Sequence, residues 1–341
     1  MEPIPEGETP KRMESGAGER RPEKIPVERF QRDLLKWFDQ HKRDLPWRCN
    51  RNPYRVWLSE IMLQQTRVAA VLEHYARFVR RFPTIKKLAA ARESSVLAAW
   101  SGLGYYRRAR MLHAAAKIIV LERAGQFPTS AADLRALPGI GRYTAAAIAS
   151  IAFNEPVAAV DGNVERVLRR VMGKRIRGER LWESAQELLS NKRPGDFNEA
   201  LMEVGAILCL PGQPKCLLCP VSHCCTTRGE LRDDRKVARQ QKRDIQYALS
   251  RRNGSVFLVK REKTASLMPG MWELPELPAA NGSHKLLLKL RHSITVTDYT
   301  VRVVNCELPE SADGRWIDRS RLERLPLTGL TRKILRAAKV I

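Results

Sequence analysis

The amino-acid sequence predicts a mainly α-helical protein followed by a smaller α+β domain. Two observations carry that expectation. From residue 27 to about residue 227, apolar residues recur at helical spacing and no alternating strand pattern interrupts them. After residue 228 the pattern changes to short β-branched runs around turn residues, closed by one helix. A third observation marks the boundary. Five of the seven cysteines fall within residues 209–225, "CLPGQPKCLLCPVSHCC".

Residues 1–25 are rich in Pro, Gly and Glu with little to bury, and are expected to form a disordered tail. "VERFQRDLLKWFDQHKR" then opens the helical region. "YRVWLSEIMLQQTRVAAVLEHYARFVRRF" continues it, with Trp57, Ile61, Val68, Leu72, Tyr75 and Val79 near one face. "ESSVLAAWSGLG" starts on a Ser pair able to cap and ends on glycines. "YRRARMLHAAAKIIVLERAG" is a further helix that stops at a Gly. "TSAADLRALPGIGRYTAAAIASIAF" reads as two helices separated by Pro-Gly-x-Gly, and "NVERVLRRVMG", "ERLWESAQELLS" and "DFNEALMEVGAILC" extend the helical pattern. A basic connector, residues 229–243, leads to "IQYALSRRNGSVFLVKRE", two strand-like runs around Asn-Gly. "ITVTDYTVRVVNCEL" alternates as a strand, and "LTGLTRKILRAAKVI" closes as a helix. The last unit, residues 244–341, has an ordinary domain size.

At 341 residues and 43% hydrophobic, the chain is long enough for two or three domains with real cores. A net charge of +24 attracts polyanions, and nucleic acid is the commonest of these. No apolar run approaches the roughly 20 residues of a spanning helix, and the N-terminus lacks the apolar segment of a secretory signal. The expectation is a soluble, intracellular protein in which thiols stay reduced.

Four motifs carry chemistry. Cys209, Cys216, Cys219 and Cys225 have the spacing C-x6-C-x2-C-x5-C, with Pro and Gly residues making the loop compact. Four thiolates suit a [4Fe-4S] cluster or structural zinc; a single C-x2-C pair favours iron–sulfur. Cys224 is an alternative to Cys225, while Cys49 and Cys306 stand alone and read as packing residues. In "LPGIGRYTA", Pro138 ends one helix, Gly139 and Gly141 allow a tight turn, and a helix begins near Arg142. Its first-turn N–H groups and the Arg142 charge suit a phosphate; the bland alternative is a turn. In "AVDGNVERVLRR", Asp161 sits at a helix start, where a cap and an active-site carboxylate are compatible roles and the positive helix end holds the anion ionised. In "VWLSEIML", Glu60 is the only charge among apolar neighbours, so burial would raise its pKa toward that of a general acid at neutral pH. The alternative is an outward-facing Glu. Gln64, Gln65 and Thr66 follow one turn later and could reach the same cleft or a base.

The order "WLSEIMLQQT", "GLGYYRRAR", "LPGIGRYTA", "VDGNV" and then four cysteines resembles the helix-hairpin-helix DNA glycosylases that carry an iron–sulfur loop, and within them the MutY-type adenine DNA glycosylases. The motifs are dense from about residue 45 to residue 225 and looser through "LMPGMWELP". The resemblance implies a six-helix barrel at about residues 54–158 and a cluster module from about residues 26–53 and 159–228. A Nudix-like domain completes the chain. It implies a monomer that removes adenine mispaired with 8-oxoguanine or guanine from duplex DNA, flipping the base into a pocket between the helical units. Glu60 matches the general acid and Asp161 the carboxylate that stabilises the sugar cation. Tyr143 and Asn163 match groups that hydrogen-bond the site. Gln65 and Tyr105 match residues probing the duplex beside the lesion, and Arg48 matches a residue of the adenine pocket. A structural [4Fe-4S] cluster is the implied cofactor.

Endonuclease III-like enzymes, which act on oxidised pyrimidines, share the hairpin and cysteine spacing but carry a lysine where this chain has Tyr143. A lysine amine forms a Schiff base and cuts the strand; a phenol does not, so base release without an efficient lyase step is expected. A non-enzymatic iron–sulfur DNA-binding protein would have no need of both Glu60 and Asp161. A Nudix pyrophosphatase would need a Glu-rich metal-binding helix after Gly270, and none follows. The last domain departs from the family. Where an aromatic-Ser-His stretch is usual, His292 is followed by "SITV", so His292 and Thr295 are the remaining lesion-recognition candidates.

Overall fold

The computed structural model describes residues 25–230, 241–265, 267–278, 284–294, 297–306 and 313–341. The expected tail (residues 1–24 of it), most of the connector and Thr295 lie outside the described residues. α1 (Val27–His41) buries Phe30, Leu34 and Phe38, four residues apart on one stripe; each contributes roughly 1.5–3 kcal/mol by leaving water. α2 (Pro53–Leu63) starts on a capping Asn52 that accepts from the Arg55 amide, with Pro at the first position. Tyr54 and residues 56–62 of α2 are buried, so this helix lies in the core rather than on its surface.

The chain does not continue from α2 as one stretch. It breaks at residues 64–67 and restarts as α3 (Val68–Arg81), with Gln65 in the left-handed region at φ 55°. The break turns the second half, so α3 buries Val71, Tyr75 and Phe78 while Leu72 is exposed, contrary to the single-face expectation. α4 (Ile85–Ala89) and α5 (Glu93–Trp100) follow. Arg92, not a serine, occupies the α5 cap position, and no side chain caps it; Ser94 and Ser95 lie inside the helix. α6 (Tyr106–Glu122), α7 (Ala131–Leu134) and α8 (Arg142–Phe153) complete the first core, with α7, the Pro-Gly turn and α8 forming the expected hairpin. Gly139 is needed there, because its φ is 77° and a Cβ would lie 2.7 Å from Met111 Cβ.

A second core joins α1 to α9 (Gly162–Met172), α10 (Glu179–Leu188) and α11 (Pro194–Ile207), and the cysteine loop packs onto it through two short 3-10 turns, Cys216–Leu218 and Ser222–Cys224. α2 packs on α8, and α11 packs on both α8 and α9. Trp182 and Met202 touch both cores. Gly205 lets α11 approach α9 closely, since a Cβ there would lie 2.6 Å from Asn163 Cβ.

The C-terminal part holds the sheets. β1 (Gln241–Ala248) begins inside the expected connector and runs parallel to β7 (Thr297–Asn305), which pairs antiparallel with β6 (Lys285–Ile294). β5 (Glu276–Leu277) lies on the other edge of β1. The second sheet joins β2 (Arg251–Arg252), β3 (Ser255–Lys260), β4 (Trp272–Glu273) and β8 (Arg315–Asp318). Asn253 and Gly254 both have positive φ, and Arg252 pairs with Ser255, as a two-residue Asn-Gly hairpin requires. α12 (Arg319–Leu322) and α13 (Gly329–Ala337) close the unit. It is docked on the helical region: Ser101 Oγ and Tyr106 Oη donate to Leu327 O at 2.9 and 2.8 Å, Arg332 Nε donates to Ser101 Oγ at 2.8 Å, and Met271 is buried in the first helical core.

Candidate active site

Burial of α2 on all sides places Glu60 inside the protein, 7% exposed. The outward-facing alternative does not hold. Packing of α2 on α8 brings Tyr143, the second residue of α8, against it. Tyr143 Oη donates to Glu60 Oε2 at 2.6 Å and lies 3.2 Å from Met202 Sδ on α11. Burial pushes the Glu60 carboxyl up to about 7; the Tyr143 hydrogen bond opposes the rise, while the Glu199 and Asp161 charges add to it. The Tyr143 phenol is pushed well above its usual value, first by burial and then by Glu60. Glu60 is therefore poised to give or take a proton near neutral pH, while Tyr143 keeps its own and donates the hydrogen bond.

Asp161 caps α9. Its Oδ1 accepts from Val164 N at 2.7 Å and its Oδ2 from Asn163 Nδ2 at 2.9 Å. The cap was expected to hold the carboxylate ionised. Burial raises its pKa, while the Val164 and Asn163 bonds and the Arg166 charge act as the cap was expected to, favouring the ionised form. A cleft lined by Tyr143, Asp161 and Gly162 from one side and by Gly178, Leu181 and Trp182 from the other opens this site to solvent.

Sequence reasoning missed Arg166. It donates to Asn163 Oδ1 at 2.8 Å, Gly205 O at 2.7 Å and Cys209 O at 2.8 Å. A guanidinium only donates, so Asn163 must turn its oxygen to Arg166 and its NH2 to Asp161. Sequence reasoning also missed the carboxylates around Arg48. Arg48 Nε donates to Glu199 at 2.8 Å and Nη2 to Glu203 at 3.0 Å, while Arg43 grips Glu203 with two further side-chain bonds at 2.6 and 2.8 Å. Burial alone would raise Glu203, but the two arginines hold it at about 2. The signal was present in "NEALMEVGA": two glutamates four apart among apolar residues.

The other candidates separate into groups. Gln64, Gln65, Tyr105 and Gly139 line one cavity beside the hairpin, and Gln64 Nε2 donates to Thr144 Oγ1 on α8. Thr66 Oγ1 donates to Gln64 O. Tyr105 is left-handed at φ 49° and about half exposed. Gly141 caps α8. Arg142 does not join that cavity: it makes a bidentate pair with Glu179 at 2.6 and 2.7 Å and lies 4.0 Å over the Trp182 ring. His292 is on β6 opposite Tyr299, half-buried, with its pKa lowered by burial and by Lys333.

Cys209, Cys216, Cys219 and Cys225 line a single cavity with Arg170 and Arg228. Arg170 Nη1 donates to Cys209 Sγ at 3.3 Å and the Arg228 amide to Cys225 Sγ at 3.4 Å. Burial and the neighbouring thiols push Cys219 up to about 12, a rise that a bound cation would offset. Among the described residues, no three His, Cys, Asp or Glu are grouped closely enough to hold one metal ion, and the four cysteines share the lining of that one cavity. This donor set fits a thiolate-bound cluster. Cys224 is buried in the second core and does not line that cavity, whereas Cys225 does. Cys49 is exposed, contrary to its expected packing role.

Residues 58–191 match the model of the HhH-GPD superfamily base excision DNA repair proteins. The adenine DNA glycosylase of Rattus norvegicus is 38% identical over 332 residues, covering 78% of this chain and 64% of the rat protein. That of Homo sapiens is 45% identical over 227 residues, covering 62% and 42%. The chain thus spans less than two thirds of the length of these relatives. A thermostable thymine-DNA glycosylase structure superposes with a TM-score of 0.56 at 30% identity, covering 59% of this chain and 96% of that one. An endonuclease III–DNA complex, 22% identical with a TM-score of 0.52 and covering 60% of this chain and 97% of that one, shares the fold. With the helical hairpin and the buried carboxylates in place, these matches establish that the chain belongs to the HhH-GPD superfamily of base excision DNA repair proteins.

Proposed function

We propose that this protein is a monofunctional adenine DNA glycosylase of base excision repair. It hydrolyses the N-glycosidic bond of adenine mispaired with 8-oxoguanine or guanine in duplex DNA. The observation that carries the proposal is the buried Glu60–Tyr143 pair, with its carboxyl near neutral pKa, beside the capped Asp161. The flipped adenine enters between the two helical cores. Protonated Glu60 gives its proton to the adenine ring, the glycosidic electrons leave with the base, and the sugar is left cationic. Asp161, held by Val164 and Asn163, faces that cation and stabilises it by charge or by a transient covalent bond. Glu60, now a carboxylate, takes a proton from the water that adds to the sugar. Tyr143 orients Glu60 and supplies no amine, so the sugar–phosphate strand stays intact. The adenine DNA glycosylases among the relatives support the choice of base.

Arg48 completes the base pocket. Gln64, Gln65, Thr66 and Tyr105 meet the duplex beside the lesion, and Gly139, Gly141 and Arg142 take a backbone phosphate. His292 and Thr295 are assigned to the 8-oxoguanine side. Cys209, Cys216, Cys219 and Cys225 would hold a [4Fe-4S] cluster, which when bound ties the loop to the second core and leaves base chemistry to the residues above. The protein would act as a monomer inside the cell, wherever the DNA lies. The test is base release from a duplex with adenine opposite 8-oxoguanine. Wild-type protein should release adenine, while Glu60→Gln and Asp161→Asn should lose it but still bind the duplex. Release that survives both substitutions would refute the assignment. Iron analysis should find about four irons per chain; one zinc and no iron would refute the cluster.

A further inference from the structure

Helix α6 carries a guanidinium that the proposed reaction does not use. Arg108 turns inward beneath two loops. Its Nη1 donates to Ile61 O at 2.6 Å, Met62 O at 3.1 Å and Gln64 O at 2.6 Å, satisfying carbonyls at the end of the Glu60 helix and just beyond it. Its Nη2 reaches Thr66 Oγ1 at 3.3 Å, Leu103 O at 3.3 Å and Gly104 O at 3.5 Å. Trp100 Nε1 also donates to Gly104 O, at 3.2 Å, and the guanidinium lies 5.6 Å from the Trp100 ring and 5.4 Å from the Tyr105 ring. The Gln64 and Gly104 carbonyls immediately precede Gln65 and Tyr105, two non-glycine residues in the left-handed region. Such a conformation costs on the order of 1–3 kcal/mol and persists only where its surroundings impose it. Each of these acceptors is a neutral oxygen. A buried guanidinium without a carboxylate is a poor way to gain stability, which points to a positional role.

We propose that Arg108 is a positioning residue. It locks both loops so that Gln65 and Tyr105 project toward the duplex, and it governs how a paired adenine is levered from the stack rather than the bond cleavage that follows. The inference rests on the adenine glycosylase reading. The planar fork matters, because two nitrogens hold the two groups of acceptors, and the single nitrogen of an ammonium cannot stand in both places.

The test measures single-turnover adenine release by the full chain on two duplexes. In one, adenine is paired opposite 8-oxoguanine. In the other it lies opposite a reduced abasic site and needs little unpairing. For Arg108→Met and Arg108→Lys, the ratio of the paired to the unpaired rate should fall at least tenfold. Trp100→Phe, which withdraws the other donor to Gly104, should move the ratio the same way by a smaller factor, and it carries the test if the Arg108 variants do not fold. Equal losses on both duplexes would mean a merely structural role and overturn the proposal, as would full rescue by lysine or an unchanged ratio in Trp100→Phe. If wild-type protein releases adenine from neither duplex, the adenine glycosylase reading itself fails and this inference falls with it.

Discussion

Replacing Tyr143 by Phe removes the hydroxyl that donates to Glu60 at 2.6 Å and little else. That bond favours the ionised carboxylate and works against a burial-driven rise to about 7. A hydrogen bond to a charged group is worth roughly 1.5–3 kcal/mol, so its loss should raise the Glu60 pKa by roughly one to two units. The sign follows from the role. A general acid must be protonated, so wild-type activity should fall as pH climbs through about 7, and the falling limb should move to higher pH in the variant. Tyr143→Phe should be slower at pH 6, where both enzymes hold the proton, because Glu60 is no longer oriented. The deficit should shrink by pH 8, where the wild type has lost most of its proton and the variant has kept more of it. Single-turnover adenine release from pH 5 to pH 9 measures both effects. A falling limb that stays in place or moves to lower pH would refute the reasoning.

Glu60→Gln should stabilise the fold at pH 8 by about 3 kcal/mol, since burial raises this carboxyl from 4.5 to about 7. The folded state keeps its proton longer than the unfolded chain does, so Glu60 costs stability as pH rises from 4.5 through 7. Urea unfolding should find the gain at pH 8 and almost none at pH 4. Arg166→Leu should slow base release roughly ten- to a hundredfold with iron content unchanged, because Asn163 loses the donor that fixes its amide toward Asp161; a rate within twofold of wild type would count against that link. Glu179→Gln should remove the carboxylate that competes with a phosphate for Arg142, tightening duplex binding at low salt, and Arg142→Gln should lower the log–log salt slope by about one unit; a slope unchanged by the loss of Arg142 would remove it from the DNA contacts.

What the sequence revealed and what it hid divide along the range of the interactions. Glu60 stood out because its neighbours on α2 are apolar, and Asp161 because a helix begins beside it; both signals are local, and both residues lie where those signals point. The break at residues 64–67 was hidden because "LQQTR" contains neither Pro nor Gly. Gln65 is left-handed there, and the carbonyl before it accepts from Arg108, more than forty residues away. Arg166 looked like one more charge on an arginine-rich helix, since its acceptors on Gly205 and Cys209 come from a distant segment. The environment of Asp161 was half legible for a related reason: the cap is visible in sequence, but the burial that opposes it is a property of the packed cores. Arg142 was placed on the right turn, yet Glu179 of α10 occupies its guanidinium.

The central claim is hydrolytic release of adenine without strand cleavage. Its most direct test is a single-turnover reaction on two duplexes, one with adenine opposite 8-oxoguanine and one with an oxidised pyrimidine, each resolved with and without hot alkali. The account predicts breaks only at the adenine and only after alkali. Breaks at the pyrimidine without alkali would contradict it, and would mean that a phenol at position 143 does not exclude lyase chemistry.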